Sequence, residues 1–424
     1  MLKRILPVLV GACLGLVLAV VVLRQAAVWG FLPNRELNRS ADYVRDVMRL
    51  VNKHYVDADD ATYDRLAREA IHGLVGSLDP HSEFLEAEDF KHFEDDLDGE
   101  FGGIGVQVEL RAEKVVIIAP IAGTPGERAG ILRGDEIISV DGRSVSERSP
   151  MDDAISRLRG KPGTKVVVGL HRPSENRNFE VPIVREQIAI DSVREVRLLE
   201  NDIGYIQLVE FSARTGEQFF EALDTLRNQG AQSLILDLRS NPGGLLDAAV
   251  AVAEPFFRKG ELVVYTEGRN PDDREELRAE MSGEPLSMPI AVLINGGTAS
   301  AAEIVTGALK DTKRAVVVGE RSFGKGSVQT LFKLRNGDGM RITTARYYTP
   351  GGVSIHGQGI EPDVTLVMTP EEDGKLRLQR IRGDMTDPEE FKARFGFTPI
   401  ADAQLDAAID VLNGLRLLKQ RQAP

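Results

Sequence analysis

Between Arg39 and Gly76 the apolar residues fall at three- and four-residue intervals: Tyr43, Val47, Leu50, Val51 and Tyr55, then Leu66, Ala70, Ile71 and Leu74. That is the period of one helix face. Asp57 to Asp60 supply turn chemistry, so two helices are predicted. At Gly99 the rhythm changes. Short β-like runs, such as Gly105–Val108 and Val115–Ile118, are punctuated by Gly and Pro as far as about Val184. A short helix over Met151–Arg159 and a strand over Lys165–Leu170 complete that module. From Ile188 to about Val367 strands alternate with helices. Strands are predicted at Ile203–Val209, Ser233–Leu238, Leu262–Thr266, Ile290–Ile294 and Ala315–Val318, and helices at Thr215–Arg227, Leu245–Phe257 and Ala299–Lys310. The alternation reads as an α/β layered core. The tail is polar at first and amphipathic from Asp402 to Lys419, with Leu405, Ile409 and Leu412 on one stripe; such a helix packs on the core or meets a partner chain.

Composition narrows the functional classes. With 424 residues, 42% of them hydrophobic and 28% charged, the chain is globular and fits two or three domains. A net charge of −13 argues against nucleic-acid binding, which needs clustered Lys and Arg. The single cysteine, Cys13, excludes an intrachain disulfide and a cysteine nucleophile in the soluble part. It lies within an uncharged run from Ile5 to Leu23, flanked by Lys3, Arg4 and Arg24. Nineteen residues come close to the roughly 30 Å hydrocarbon thickness of a bilayer. The run reads as a membrane anchor or a cleaved signal, and either places the rest of the chain outside the cytoplasm.

Candidate chemistry sits at strand ends. Ser300 follows the strand Ile290–Ile294 and a Gly296-Gly297 turn, where a helix begins. There its hydroxyl is exposed at the positive end of a helix, and the Ala301 amide can bind a developing oxyanion. Read alone, Ser300-x-x-Glu303 is more simply a capping box. Lys325, in Phe323-Gly324-Lys325-Gly326, changes the balance, because a lysine with a depressed pKa is an accepted partner of a serine nucleophile. Gln329 lies four residues on, shares a strand face with Lys325 and Ser327, and can orient the lysine. The turn Asn241-Pro242-Gly243-Gly244, after the buried strand Leu234–Leu238, can aim an amide of Gly243 or Gly244 at the oxyanion. Gly319-x-x-x-x-Gly324-Lys325 spells most of a phosphate loop, but Gly326 stands where a Ser or Thr must bind magnesium, and a strand follows instead of a helix. The six histidines show no metal-ligand spacing, so no metal and no cofactor are expected.

Six blocks in order then resemble the C-terminal processing (tail-specific) peptidases of the S41 group: Leu74–Phe84, Phe101–Val106, Leu236–Gly244, Asn295–Ile304, Val318–Gln329 and Tyr347–Val364. The resemblance implies that Ser300 is the nucleophile, Lys325 the base and Gln329 the residue that positions the lysine. Thr298 and Ala302 stand where many members carry further serines; the central serine is kept. The β module resembles a PDZ domain, with Gly102, Gly103, Ile104 and Gly105 as the loop that takes a peptide carboxylate while the peptide adds as a strand.

The expected architecture is a mixed α/β (α+β) protease core with an inserted β-rich PDZ domain and helical N- and C-terminal regions. Its segments are 1–30 for the anchor or signal, 31–98 helical, 99–185 PDZ, 186–367 peptidase core and 368–424 C-terminal helical. The expected function is a periplasmic serine endopeptidase that reads protein tails. It would act as a homo-oligomer, with an adaptor or activator protein as a further partner. The competing reading is a PDZ scaffold that binds tails without cutting, or a protease silent until a partner arrives.

Overall fold

A computed structural model describes residues 15, 34–111, 113–382, 385 and 387–422. The apolar run 5–23 therefore lies outside the described residues except for Gly15. Among the described residues no helix is long and apolar enough to cross a membrane. The chain divides into two compact units, 1–84 and 85–424.

In the first unit, α1 (Arg35–His54) starts at Asn34, whose side chain accepts the amides of Glu36 and Leu37. α2 (Tyr63–Gly76) starts at Thr62, which caps Arg65 in the same way. These are the two predicted helices, joined by a 3₁₀ turn at Ala58–Ala61. No residue of α1 is buried.

The second unit opens with α3 (Ala87–Asp98), a helix the sequence reading did not single out although Phe90, Phe93 and Leu97 lie on one face of it. β1 (Glu100–Gly103) leads into the β module: β2 (Val106–Arg111), β3 (Lys114–Pro120), β4 (Glu136–Val140), helix α4 (Pro150–Leu158), β5 (Lys165–Arg172) and β6 (Arg177–Val184). Strands β2 to β6 run in sequence order across one antiparallel sheet. β7 (Glu186–Ala189) returns to pair with β1.

The core sheet is built from β8 (Val193–Leu199), β9 (Ile203–Leu208), β10 (Ser233–Asp237), β13 (Ile290–Ile294), β14 (Ala315–Gly319) and β17 (Val364–Thr365), in that spatial order. β8 is antiparallel to β9, and every later pairing is parallel. The missing numbers belong to a second sheet, where β11 (Leu262–Gly268) pairs with β12 (Glu275–Arg278) and with β16 (Gly339–Tyr348), and β16 pairs with β15 (Ser327–Lys333).

Alternate side chains of each core strand reach opposite faces. Leu234, Leu236, Val292 and Ile294 pack under α5 (Thr215–Asn228), α6 (Leu246–Ala253) and α7 (Ala301–Asp311). Ile235, Ala291, Leu293 and Val318 pack instead against Ala408 and Leu412 of the terminal helix α10 (Ala403–Gln422). Strands covered on both faces read as continuous apolar runs, which is what the sequence shows. The helix expected over Leu245–Phe257 ends at Ala253, and a 3₁₀ turn takes over at Glu254–Phe256. Pro255 accounts for this, since it has no amide hydrogen with which to continue the helical hydrogen-bond ladder. The polar start of the C-terminal segment, for which the sequence pattern places no helix bounds, holds two helices. Thr369 caps α8 (Pro370–Ile381) and Asp387 caps α9 (Pro388–Phe395), each with proline at the first helical position.

Candidate active site

The three loops that leave β10, β13 and β14 meet at the carboxyl edge of the parallel sheet, where open α/β sheets place their ligand sites. Their strands are neighbours in register, Leu236 beside Val292 and Val292 beside Val317. The loops are stitched together by hydrogen bonds. Thr298 Oγ1 donates to the Leu238 carbonyl (2.8 Å) and Asn295 Oδ1 accepts the Ser240 amide (2.7 Å). The Ala299 amide donates to the Asn241 carbonyl (2.9 Å), and the Phe323 amide to the Thr298 carbonyl (2.9 Å).

Ser300 stands at the start of α7 with φ 56° and ψ −120°. Such a backbone costs a non-glycine residue on the order of 1–3 kcal/mol and persists only where surroundings over-determine it. One surrounding is Gly243, where a Cβ would lie 2.6 Å from Ser300 Cβ and 2.8 Å from the Ala301 nitrogen. The absence of a side chain there lets the two turns touch.

The other is Glu303. Its carboxylate is wholly buried and accepts four hydrogen bonds. Oε2 takes the amides of Ser300 (2.9 Å) and Lys325 (2.8 Å). Oε1 takes the Gly324 amide (2.7 Å) and Ser322 Oγ (2.5 Å). Burial pushes its pKa up, and those four donors work against the shift. The capping-box reading of Ser300-x-x-Glu303 is therefore half of the story. The same carboxylate also holds the Lys325 loop, which spacing along the chain does not reveal.

Ser300, Lys325 and Gln329 line one cleft of about 490 Å³ together with Gly243, Gly244, Ala301, Arg341 and Tyr347. Phe93, Leu97, Leu246, Ile304, Val328 and Leu331 make much of its wall apolar. Burial depresses the Lys325 pKa, the nearby Arg341 charge depresses it further, and Glu303 opposes both. Lys325 makes no hydrogen bond to Ser300. Nor does Gln329 reach the lysine, because its amide donates to Ser327 Oγ (2.9 Å), the Ser327 carbonyl (3.2 Å) and Thr343 Oγ1 (3.3 Å). The sequence reading did not assign to the site Arg341 and Tyr347, which come from the paired strand β16, or α3, which comes from far along the chain.

Of the two turn glycines, Gly243 donates its amide to Asn241 Oδ1 (2.9 Å). Phe211 bridges to Gly244 through the flanking residues, its amide to the Gly243 carbonyl and its carbonyl from the Leu245 amide. No acceptor among the described residues takes the amide of Gly244, nor that of Ala301. His356, the one histidine of the core, meets the site through its backbone, packed so closely on Gly326 that a Cβ there would collide with it.

Behind the Asn-Pro-Gly-Gly turn lies a buried ionic cluster. Arg239 holds Asp237 through Nε (3.0 Å) and Nη2 (2.6 Å), and grips Asp402 with both terminal nitrogens (2.7 and 2.8 Å). Gln404 adds a bond to Arg239 (3.2 Å), and Tyr205 donates to Asp237 (2.8 Å). Burial, the largest single influence, would raise the Asp237 pKa, but the charge and hydrogen bonds of Arg239, with the Arg380 charge and the Tyr205 hydroxyl, together hold the group below the ordinary carboxylate range.

The loop Gly102–Gly105 closes one end of a small groove, about 140 Å³, lined by Val106 and Val108 of β2 and by Ile155 and Leu158 of α4. The carbonyls of Ile104 and Gly105 are bonded inward, to the amides of Gly126 (2.7 Å) and Ile121 (2.9 Å). Their own amides have no acceptor among the described residues. Arg159 stacks on Phe101 at the groove and pairs with Asp96 (3.0 Å).

Comparison with known proteins assigns both parts. The model of the PDZ domain matches residues 102–183, and that of peptidase family S41 matches residues 202–366. A carboxy-terminal-processing protease of Bartonella bacilliformis is 37% identical over 398 residues, covering 90% of each chain. The carboxy-terminal processing protease CtpA of Bacillus subtilis is 37% identical over 330 residues, 78% of this chain and 68% of that one. Among solved structures, the photosystem II D1 C-terminal processing protease aligns at 31% identity with a TM-score of 0.45, over 76% of this chain and 92% of that one. These matches define an enzyme, a serine-type peptidase that carries a PDZ domain. The chain belongs to the carboxy-terminal-processing proteases of peptidase family S41.

Proposed function

We propose that this peptidase acts outside the cytoplasm, takes unstructured protein C-termini into its PDZ groove and cleaves by acyl-enzyme chemistry. The observation that carries the reading is Glu303, one buried carboxylate that holds the backbones of Ser300 and Lys325 at a shared cleft. Neutral Lys325 takes the Ser300 proton as Oγ bonds to the substrate carbonyl carbon. The free amides of Ala301 and Gly244 receive the oxyanion. Collapse breaks the C–N bond, and the proton passes from Lys325 to the leaving amine. Water then hydrolyses the ester by the same route. The unbonded amides of Ile104 and Gly105, above an apolar groove, suit a terminal carboxylate followed by an apolar side chain. The uncharged run 5–23 behind Lys3 and Arg4 supports export.

A second reading is favoured by one detail. Lys325 and Gln329 are not hydrogen-bonded to the groups they would serve, so substrate or an adaptor protein would complete the alignment. The exposed apolar residues of α1, Leu37 (63%) and Leu50 (60%) among them, support a homo-oligomer. The test is digestion of an unstructured protein by the chain, with Ser300→Ala and Lys325→Ala beside it. Loss in both variants is expected. Cleavage by Ser300→Ala would overturn the nucleophile. No cleavage by any form, with C-terminal peptides still bound, would favour the scaffold or the partner-dependent enzyme.

A further inference from the structure

We infer that Tyr347 is a further catalytic residue, its hydroxyl serving as a hydrogen-bond donor to Ser300 Oγ. This rests on Ser300 being the nucleophile. Tyr347 belongs to β16 and pairs with Thr266 of β11, and its amide donates to the Gly326 carbonyl (3.1 Å), immediately after Lys325. Its ring is part of the main core, and only 2% of the residue is exposed. The hydroxyl, however, is buried without a hydrogen-bond partner. Tyr347 and Ser300 line the same cleft, yet no hydrogen bond of ordinary geometry joins them.

Buried hydroxyls are nearly always paired, because leaving one unpaired forfeits its hydration with nothing in return. Phenylalanine would fill the same space without that loss. The hydroxyl is therefore retained against the interest of the core, and the nucleophile shares its cleft. Burial and the Glu303 charge keep the phenol protonated, so it donates. A donor on Oγ leaves the serine's own hydrogen to point at Lys325. It also stabilises the negative charge that grows on Oγ as Lys325 takes the proton, and again when Oγ leaves carbon during ester hydrolysis. Tyr347 keeps its proton throughout, so the balance between Ser300 and Lys325 is unchanged.

The experiment compares Tyr347→Phe, Ser300→Ala and the unaltered protein on one unstructured substrate, with thermal melts beside the kinetics. Tyr347→Phe should lower kcat by about 10- to 100-fold with KM unchanged. Its melting temperature should stay the same or rise, and the ascending limb of its pH profile, set by Lys325, should not move. A Phe variant with full kcat would overturn the inference, as would one whose slower rate tracks a lower melting temperature. Incorporating 3-fluorotyrosine at 347, which keeps the donor, should restore kcat, and failure to restore it counts against the role. If Ser300→Ala still cleaves, the nucleophile is wrong. If Ser300→Ala is silent while Tyr347→Phe is fully active, only the Tyr347 role falls.

Discussion

The parallel sheet and the N-terminal helix pair carry equally regular apolar patterns and treat them in opposite ways. Leu236 and Val292 are fully buried beneath α5, α6 and α7. On α1, Leu37, Tyr43 and Leu50 are more than half exposed. A hydrophobic period states that a face is to be covered. It does not state whether the cover comes from the same chain. The sheet finds its cover within 200–412, on both faces, whereas the helix pair leaves its apolar residues exposed.

The comparison is broken most forcefully by removing matching side chains. Leu236→Ala should cost about 2–5 kcal/mol in denaturant unfolding, because it opens a cavity in a core that cannot collapse around it. Leu50→Ser should leave the unfolding of the core within about 0.5 kcal/mol, and its effect should appear in sedimentation as a smaller assembly. Equal losses for both would mean that α1 is a core element after all.

A buried polar centre should resemble the sheet more than the helices. Glu303→Gln puts an amide group against donors on one side of the carboxylate, loosening either the Ser300 or the Lys325 loop. Activity should fall about 100-fold, and stability by about 1–3 kcal/mol, read from kcat and from melting. An active and stable Gln variant would show that the two loops hold themselves.

The smallest effect is electrostatic. Arg341 helps to depress the Lys325 pKa. In Arg341→Gln that pKa should rise, so less of the lysine is neutral at a given pH. The ascending limb of kcat/KM should then move toward higher pH. An unmoved limb would mean that burial alone sets the lysine.

What the sequence disclosed follows the range of the interactions involved. Strands β10 and β13 are legible because a run such as Leu234-Ile235-Leu236 is apolar on both faces. The helix pair is legible through its period, and the Ser300 and Lys325 motifs through their glycines. The double duty of Glu303 is hidden, since a capping box accounts for that glutamate using neighbours alone. Tyr347 and Arg341 enter the cleft from β16, a strand whose mixed burial blurs its alternation. α8 and α9 fall within the segment 368–424 expected to be helical, but the sequence pattern does not place their bounds, although Thr369-Pro370 and Asp387-Pro388 mark their starts, because their composition is polar.

The grip of Asp402 on Arg239 also bears on timing. During synthesis the strands of the core and the loops that carry Ser300 and Lys325 emerge well before residue 402. Until then Arg239 and Asp237, beneath the Asn-Pro-Gly-Gly turn, have only part of their buried ionic cluster. The turn's last support is supplied by a segment made 163 residues after Arg239.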